Sequence, residues 1–248
     1  MDPDAREATV VFSKDWLAVE AIYGGHVVSR LIAALDDLPG YEVRAVTVHF
    51  FGSVRAGEAT VSTEVEHRGS TTATVSARLR QGHQRALAVA KLATGGDEGV
   101  AESIDLDGLL RPDDVEIAAA SYGRLPYEEF IESRALPGGS GEGPMPGASR
   151  AWVRLRQGGD LSVPVAAPLL LDALVPGAYS IPPVPSNVPT VEFSVHVTPG
   201  EVRATSWHLA TQSLIWASAD LCVEESALYD AAGTVVAKAR QTRRVLHS

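Results

Sequence analysis

Along residues 25–37 the apolar positions Val27, Val28, Leu31, Ile32, Ala34 and Leu35 are spread around most of a helical circumference. That spread predicts a helix buried on nearly all sides rather than one lying on a surface. A second apolar stretch, VAAPLLLDAL, predicts a like helix over residues 164–175. The period then changes. Val191, Phe193, Val195 and Val197 alternate with Glu192, Ser194, His196 and Thr198, which is the period of two of a strand with one buried face. Further strand-like runs fall at residues 59–66, 71–80 and 86–93, and again at 204–213, 220–229 and 234–243. Gly69, Gly82, Pro199-Gly200 and Gly233 supply turns between them. The pattern reads as one buried helix followed by about four antiparallel strands, and it occurs twice.

Short matches in the same order support an internal repeat. Leu38-Pro39-Gly40 closes the first apolar stretch and Val175-Pro176-Gly177 the second. TVHF at Thr47 to Phe50 returns as TVEF at Thr190 to Phe193, and each is followed by a Gly-Glu pair, Gly57-Glu58 and Gly200-Glu201. VAK at Val89 returns as VAK at Val236. We therefore divide the chain into an N-terminal unit, residues 1–95, a connection, residues 96–149, and a C-terminal unit, residues 150–248. The connection opens acidic (DEGVAESIDLDGLLRPDDVE) and closes on PGGSGEGPMPG, a flexible composition that has to carry the chain across the outside of the molecule. Its Tyr122, Leu125, Pro126, Tyr127 and Phe130 are expected to pack on the sheet in preference to lining an entrance.

Composition narrows the function classes. Of 248 residues 45% are hydrophobic, enough for a sizeable core. The net charge of -10, from 31 acidic and 21 basic residues, argues against a nucleic-acid or anionic-membrane surface. A single cysteine, Cys222, excludes an internal disulfide framework and is expected to be a small buried hydrophobe. The opening MDPDAREATVVF is acidic where a secretion signal is basic, and no apolar run reaches the length of a membrane span, so the expected location is the cytoplasm. The seven histidines form no tight pair, so neither a metal nor another cofactor is expected. Exposed sheet edges leave a homo-oligomer open.

The stretch KDWLAVEAIYGGHVVSRLIAAL resembles the opening of acyl-CoA thioesterase II proteins and their thioesterase-like relatives, in which a Gly-Gly pair begins the first central helix. The resemblance covers nearly the whole chain. It implies an α+β double-hotdog fold, two central helices wrapped by one continuous antiparallel sheet, and acyl-CoA as the substrate. It further implies a site made of an Asp in the second helix, a Thr opening the next strand and a Gln in the last strand. The matching residues are Asp172 in LLLDALVP, Thr190 in VPTVEF and Gln241 in VVAKARQTRR. One departure is visible: the family often follows its Thr with a hydrophobic residue, Asp and His, where this chain has Val191, Glu192 and Phe193.

These residue types suit thioester hydrolysis. An Asp on an apolar helix is costly to bury without partners, so Asp172 either braces a neighbouring element or accepts a proton from an attacking water. Thr190 and Gln241 each offer a donor and an acceptor to hold that water. Gly24, Gly25 and the N–H of His26, at a helix start, are the candidate donors to the carbonyl oxygen, against the plainer reading of a tight turn. In the repeat, Asp172 corresponds to Leu35, Thr190 to Thr47 and Gln241 to Thr94, while Leu161-Ser162 stands where the first unit has Gly24-Gly25. One composite site follows, with the helix start from the first unit and the polar trio from the second. Arg78, Arg80, Arg85, Arg243 and Arg244 are candidate contacts for CoA phosphates and are left outside the site. A hotdog hydratase would show a Gly-Asp-x-Asn-Pro-like segment and a serine hydrolase a Gly-x-Ser-x-Gly elbow, and neither is present. The alternative from another class is a non-catalytic acyl-CoA or lipid-binding module.

Overall fold

The computed structural model describes residues 5–96, 99–115, 125–137, 147–158, 161–199 and 201–247. Tyr122, Gly200 and most of the Gly/Pro-rich run lie outside the described residues. The N-terminal unit folds as strand β1 (Ala5–Phe12), helix α1 (Gly24–Leu35), then β2 (Glu42–Phe50), β3 (Gly57–Arg68), β4 (Thr72–Gln81) and β5 (His83–Ala93). The connection contributes β6 (Ile131–Ala135), a strand that sequence periodicity did not predict. The C-terminal unit follows with β7 (Ser149–Leu155), helix α2 (Val163–Leu171), β8 (Thr190–Val197), β9 (His208–Ala217), β10 (Leu221–Tyr229) and β11 (Val235–Arg244).

These eleven strands form one antiparallel sheet in the order β1-β3-β4-β5-β2-β8-β11-β10-β9-β7-β6. Apart from β6 the order is a palindrome in the repeat: each unit places its strands in the same succession outward from the central pair. That pair is β2 and β8, which joins the units through Val48 opposite Phe193 and Val46 opposite Val195. The fold is thus the expected double hotdog. Outside the sheet, Ile104, Leu106 and Leu109 of the connection pack on Trp152, Leu209 and Tyr229.

Strand register corrects the detailed correspondence. Thr47 lies opposite Val89 on β5, whereas Thr190 lies opposite Arg243 on β11, not opposite Val236. The TVHF/TVEF and VAK matches therefore cannot both mark equivalent positions. Across the central pair Thr47 instead faces Ser194, with their hydroxyl oxygens 2.9 Å apart. Short identical strings on strands recur because the period of two restricts the residues, and register is set by which faces are buried.

Both helices are buried against the sheet. Val27, Val28, Leu31, Ile32 and Leu35 of α1 and nearly all of α2 belong to one continuous core. The helix α2 is shorter than residues 164–175: it stops at Leu171, and Asp172 is its C-cap. Val175 precedes Pro176, and a residue before proline disfavours helical backbone, so the helix has no route onward. The two helices meet at Gly25, where a Cβ would stand 2.4 Å from the carbonyl oxygen of Pro168. Only a glycine allows that approach.

Candidate active site

Asp172 is placed by this contact. A carboxylate at a helix C-terminus meets the negative end of its own dipole and needs compensation from elsewhere. It finds that at the start of α1, whose N-cap residue Tyr23 offers no side-chain cap. Oδ2 of Asp172 accepts the N–H of Gly25 at 2.8 Å, so Asp172 caps α1 from the other unit. Oδ1 accepts Nε2 of Gln241 at 2.9 Å and Nη2 of Arg243 at 3.0 Å. The hydroxyl of Thr190 donates to Oε1 of Gln241 at 3.2 Å and accepts Nη1 of Arg243 at 2.8 Å. Asp172, Thr190 and Gln241 thus share one hydrogen-bond network, although they come from the end of α2, the start of β8 and the middle of β11.

The helix start is arranged differently from expectation. The N–H of His26 donates to the carbonyl of Tyr23 at 3.1 Å, as does that of Val27. With Gly25 bonded to Asp172, Gly24 is the member of this first turn whose N–H has no acceptor among the described residues. It stands beside the acid: a Cβ on Gly24 would lie 3.0 Å from Oδ2 of Asp172.

Arg243 was set aside as a phosphate contact and proves to be interior. Its side chain is 7% exposed, as is that of Asp172, and its Nε donates to Oε2 of Glu224 at 2.8 Å. Glu224 is itself buried and accepts the N–H of Ala178 at 3.3 Å. Burial works against the charge on Arg243, but Asp172 and Glu224 outweigh it and hold the guanidinium above its ordinary pKa. Two carboxyl groups thus flank one guanidinium. A sequence signal for Arg243 existed: Gln241 and Arg243 are two apart on a strand and must share a face. Glu224 lies opposite Gln241 on the neighbouring strand, a pairing that only register reveals. Cys222, opposite Arg243, is fully buried, and burial with the nearby Glu224 pushes its thiol up to about 11.

Aromatic rings cover the start of α1. Trp16 stacks on the imidazole of His26 at 4.2 Å and on Phe130 at 4.5 Å, and Tyr23 stacks on Tyr127 at 4.2 Å. Burial, then the charge of Arg30, pushes His26 down to about 4, so its ring is neutral at pH 7. Burial, then the Asp172 carboxylate, raises both Tyr23 and Tyr127, which places these phenols within the field of the acid and keeps them protonated. Phe130 and Tyr127 of the connection thus do more than pack on the sheet. Phe130 lines a cavity of about 310 Å³ that opens between the helices, walled by His26, Ser29, Arg30 and Ala33 of α1 and by Val165 and Leu169 of α2. Among the described residues no three His, Cys, Asp or Glu side chains are grouped to hold a metal ion, and no helix is long and apolar enough to cross a membrane.

Two family models match the chain: the acyl-CoA thioesterase N-terminal domain over residues 12–95 and the acyl-CoA thioesterase C-terminal domain over residues 101–245. Among solved structures, a hot dog-fold protein of unknown function from Alicyclobacillus acidocaldarius superposes with a TM-score of 0.85 at 17% identity, covering 100% of this chain and 95% of that one. A putative thioesterase II from Thermobifida fusca gives 0.81 at 22% identity over 96% and 92% of the two chains. An acyl-CoA thioesterase II from Mycobacterium marinum gives 0.77 at 18% identity over 100% and 95%. No curated protein sequence matches.

Proposed function

Because the chain belongs to the acyl-CoA thioesterase family, we propose that it hydrolyses acyl-CoA thioesters to the free acid and CoA, with Asp172 taking the proton of the attacking water. The observation that carries this reading is the single network joining Asp172, Thr190 and Gln241 beside the unpartnered N–H of Gly24. An ionised carboxylate has about four acceptor positions. Three are filled at Asp172, by Gly25, Gln241 and Arg243, so one remains for a water proton. The second N–H of Gln241 and the second lone pair of Thr190 complete a set of partners able to hold that water.

The water oxygen attacks the thioester carbonyl carbon as its proton passes to Asp172. The carbonyl oxygen gains negative charge and is met by the N–H of Gly24 and the positive end of α1. Collapse of the tetrahedral species breaks the carbon–sulfur bond, and the CoA thiolate leaves and takes up the proton. His26 has a side-chain role here, not that of a backbone donor: its neutral ring and the Trp16 ring stacked on it line the cavity between the helices. The acyl chain lies in that cavity, along the stretch of α1 from His26 to Ala33, about 10 Å of helix at 1.5 Å per residue.

The test is a panel of acyl-CoAs of increasing chain length, with released CoA detected by a thiol reagent. Release that depends on enzyme concentration supports hydrolysis. The coordination of Asp172 as a helix cap equally suits a protein that binds acyl-CoA without turnover, and saturable binding with no CoA release at any chain length establishes that reading instead.

A further inference from the structure

We propose that Arg243, anchored by Glu224, is a positioning residue that fixes the donor–acceptor direction of the whole catalytic network. The proposal rests on the hydrolase reading and adds to it two residues from neighbouring strands. A guanidinium only donates and a carboxylate only accepts. Arg243 donates to Asp172 and to Thr190, so the Thr190 hydroxyl, already accepting, sends its one proton to Oε1 of Gln241. That turns the Gln241 amide so that Nε2 faces Asp172. Arg243 thus reaches Asp172 by two routes, directly and through Thr190 and Gln241, with every bond running toward the acid, and the remaining lone pair of Asp172 then points where the water must stand.

Reversal of any member would set two acceptors against each other. With Arg243 removed, the hydroxyl of Thr190 is free to rotate and the amide of Gln241 loses one of the two constraints on its orientation. Stability alone does not account for the cluster, because a buried ion pair is often no better than apolar residues of the same volume. Glu224 supplies what such a buried cation needs on its far side: it takes the Nε of Arg243 and is itself held by the N–H of Ala178. Lysine cannot replace the fork, since its three N–H groups share one nitrogen, whereas Arg243 meets its three partners through three separate nitrogens.

The experiment compares wild-type enzyme with Arg243→Lys, Arg243→Gln and Glu224→Gln by steady-state hydrolysis of one acyl-CoA, with circular dichroism to verify folding. Both Arg243 variants are expected to lose about 10²-fold in kcat, the scale of a 1 Å misplacement, with KM within about threefold because neither change touches the acyl cavity. Glu224→Gln is expected to lose about tenfold in kcat, also at near-constant KM, since it loosens the anchor and leaves the fork. Wild-type kcat in Arg243→Lys overturns the proposal, as does a loss carried entirely by KM, which would make Arg243 a substrate contact. Should the Arg243 variants fail to fold, wild-type kcat in Glu224→Gln overturns it. An active wild type with an indifferent Arg243→Lys refutes the positioning role alone. A wild type inert on every acyl-CoA refutes the hydrolase reading and removes this role with it.

Discussion

Replacing Asp172 by Asn separates what the acid does for the reaction from what it does for the fold. As general base, its loss is worth about 10²- to 10⁴-fold in kcat, or roughly 3–5 kcal/mol of barrier. The amide preserves shape, which on sequence grounds suggests an unharmed fold, but the network contradicts that. Asn has one acceptor oxygen. If it keeps the bonds to Gln241 and Arg243, its NH₂ meets the N–H of Gly25, donor against donor. A buried group left unpaired costs about 1–3 kcal/mol, and a buried guanidinium that loses one of its two carboxylates adds a similar amount, less than the full about 3–5 kcal/mol for breaking a pair because Glu224 remains. A total near 4 kcal/mol lowers Tm by about 8–16 °C in a chain of this length. The assay pairs thermal unfolding at pH 7 with kcat measured well below the variant's Tm. An Asn variant with unchanged Tm would refute the trans-capping of α1, and hydrolysis within tenfold of wild type would refute the general base.

Gly25→Ala drives a methyl to 2.4 Å from the Pro168 carbonyl oxygen and forces the helices apart; overpacking of this kind costs about 1–3 kcal/mol, and a Tm within 1 °C of wild type would show that the contact yields freely. His26, with a folded pKa of about 4 against about 6.5 unfolded, contributes stability that is present above pH 6.5 and is lost as pH falls from there toward 4. Discounted for partial exposure, this amounts to about 1–2 kcal/mol, and urea unfolding at pH 7 and pH 5 should show it in wild type but not in His26→Phe, which keeps a ring against Trp16. Val165→Trp puts a large ring on the wall of the cavity between the helices, so it should lower kcat/KM at least tenfold for long acyl chains while short ones are hydrolysed as before; an equal loss at every length would place the chain elsewhere.

Periodicity exposed the two buried helices and most strands because a helix buried all round and a half-buried strand leave different spacings of apolar residues. It missed β6, five residues at the sheet edge in which Ile131 is the one large apolar residue and the charged Glu132 is buried. Asp172, Thr190 and Gln241 were legible only through resemblance, since each is an ordinary polar residue in isolation. The geometry brings all three together. What sequence could not supply was the state of their partners. Arg243 looks like one more charge on an exposed strand until β11 is seen pressed between β8 and β10. Likewise the N–H of His26 looks free until Tyr23 is found to accept it.

The bond between Gly25 and Asp172 occurs once among the described residues although the unit is repeated. The acid lies at the end of α2 and the amide donor at the start of α1, so the bond crosses between the units. The opposite ends of the two helices do not reproduce it. There α1 ends at Leu35 with Asp36 as C-cap, and Asp36 turns back to accept the N–H of Val43 within its own unit. The start of α2 carries Ser162 and Val163 followed by Pro164, which has no N–H to offer. An N-terminus without glycines denies a close approach. The asymmetry between the units is therefore chemical rather than architectural: two copies of one fold supply two helix ends that can meet, and only the pair formed by Gly25 and Asp172 joins a glycine at one helix start to a carboxylate at the facing helix end.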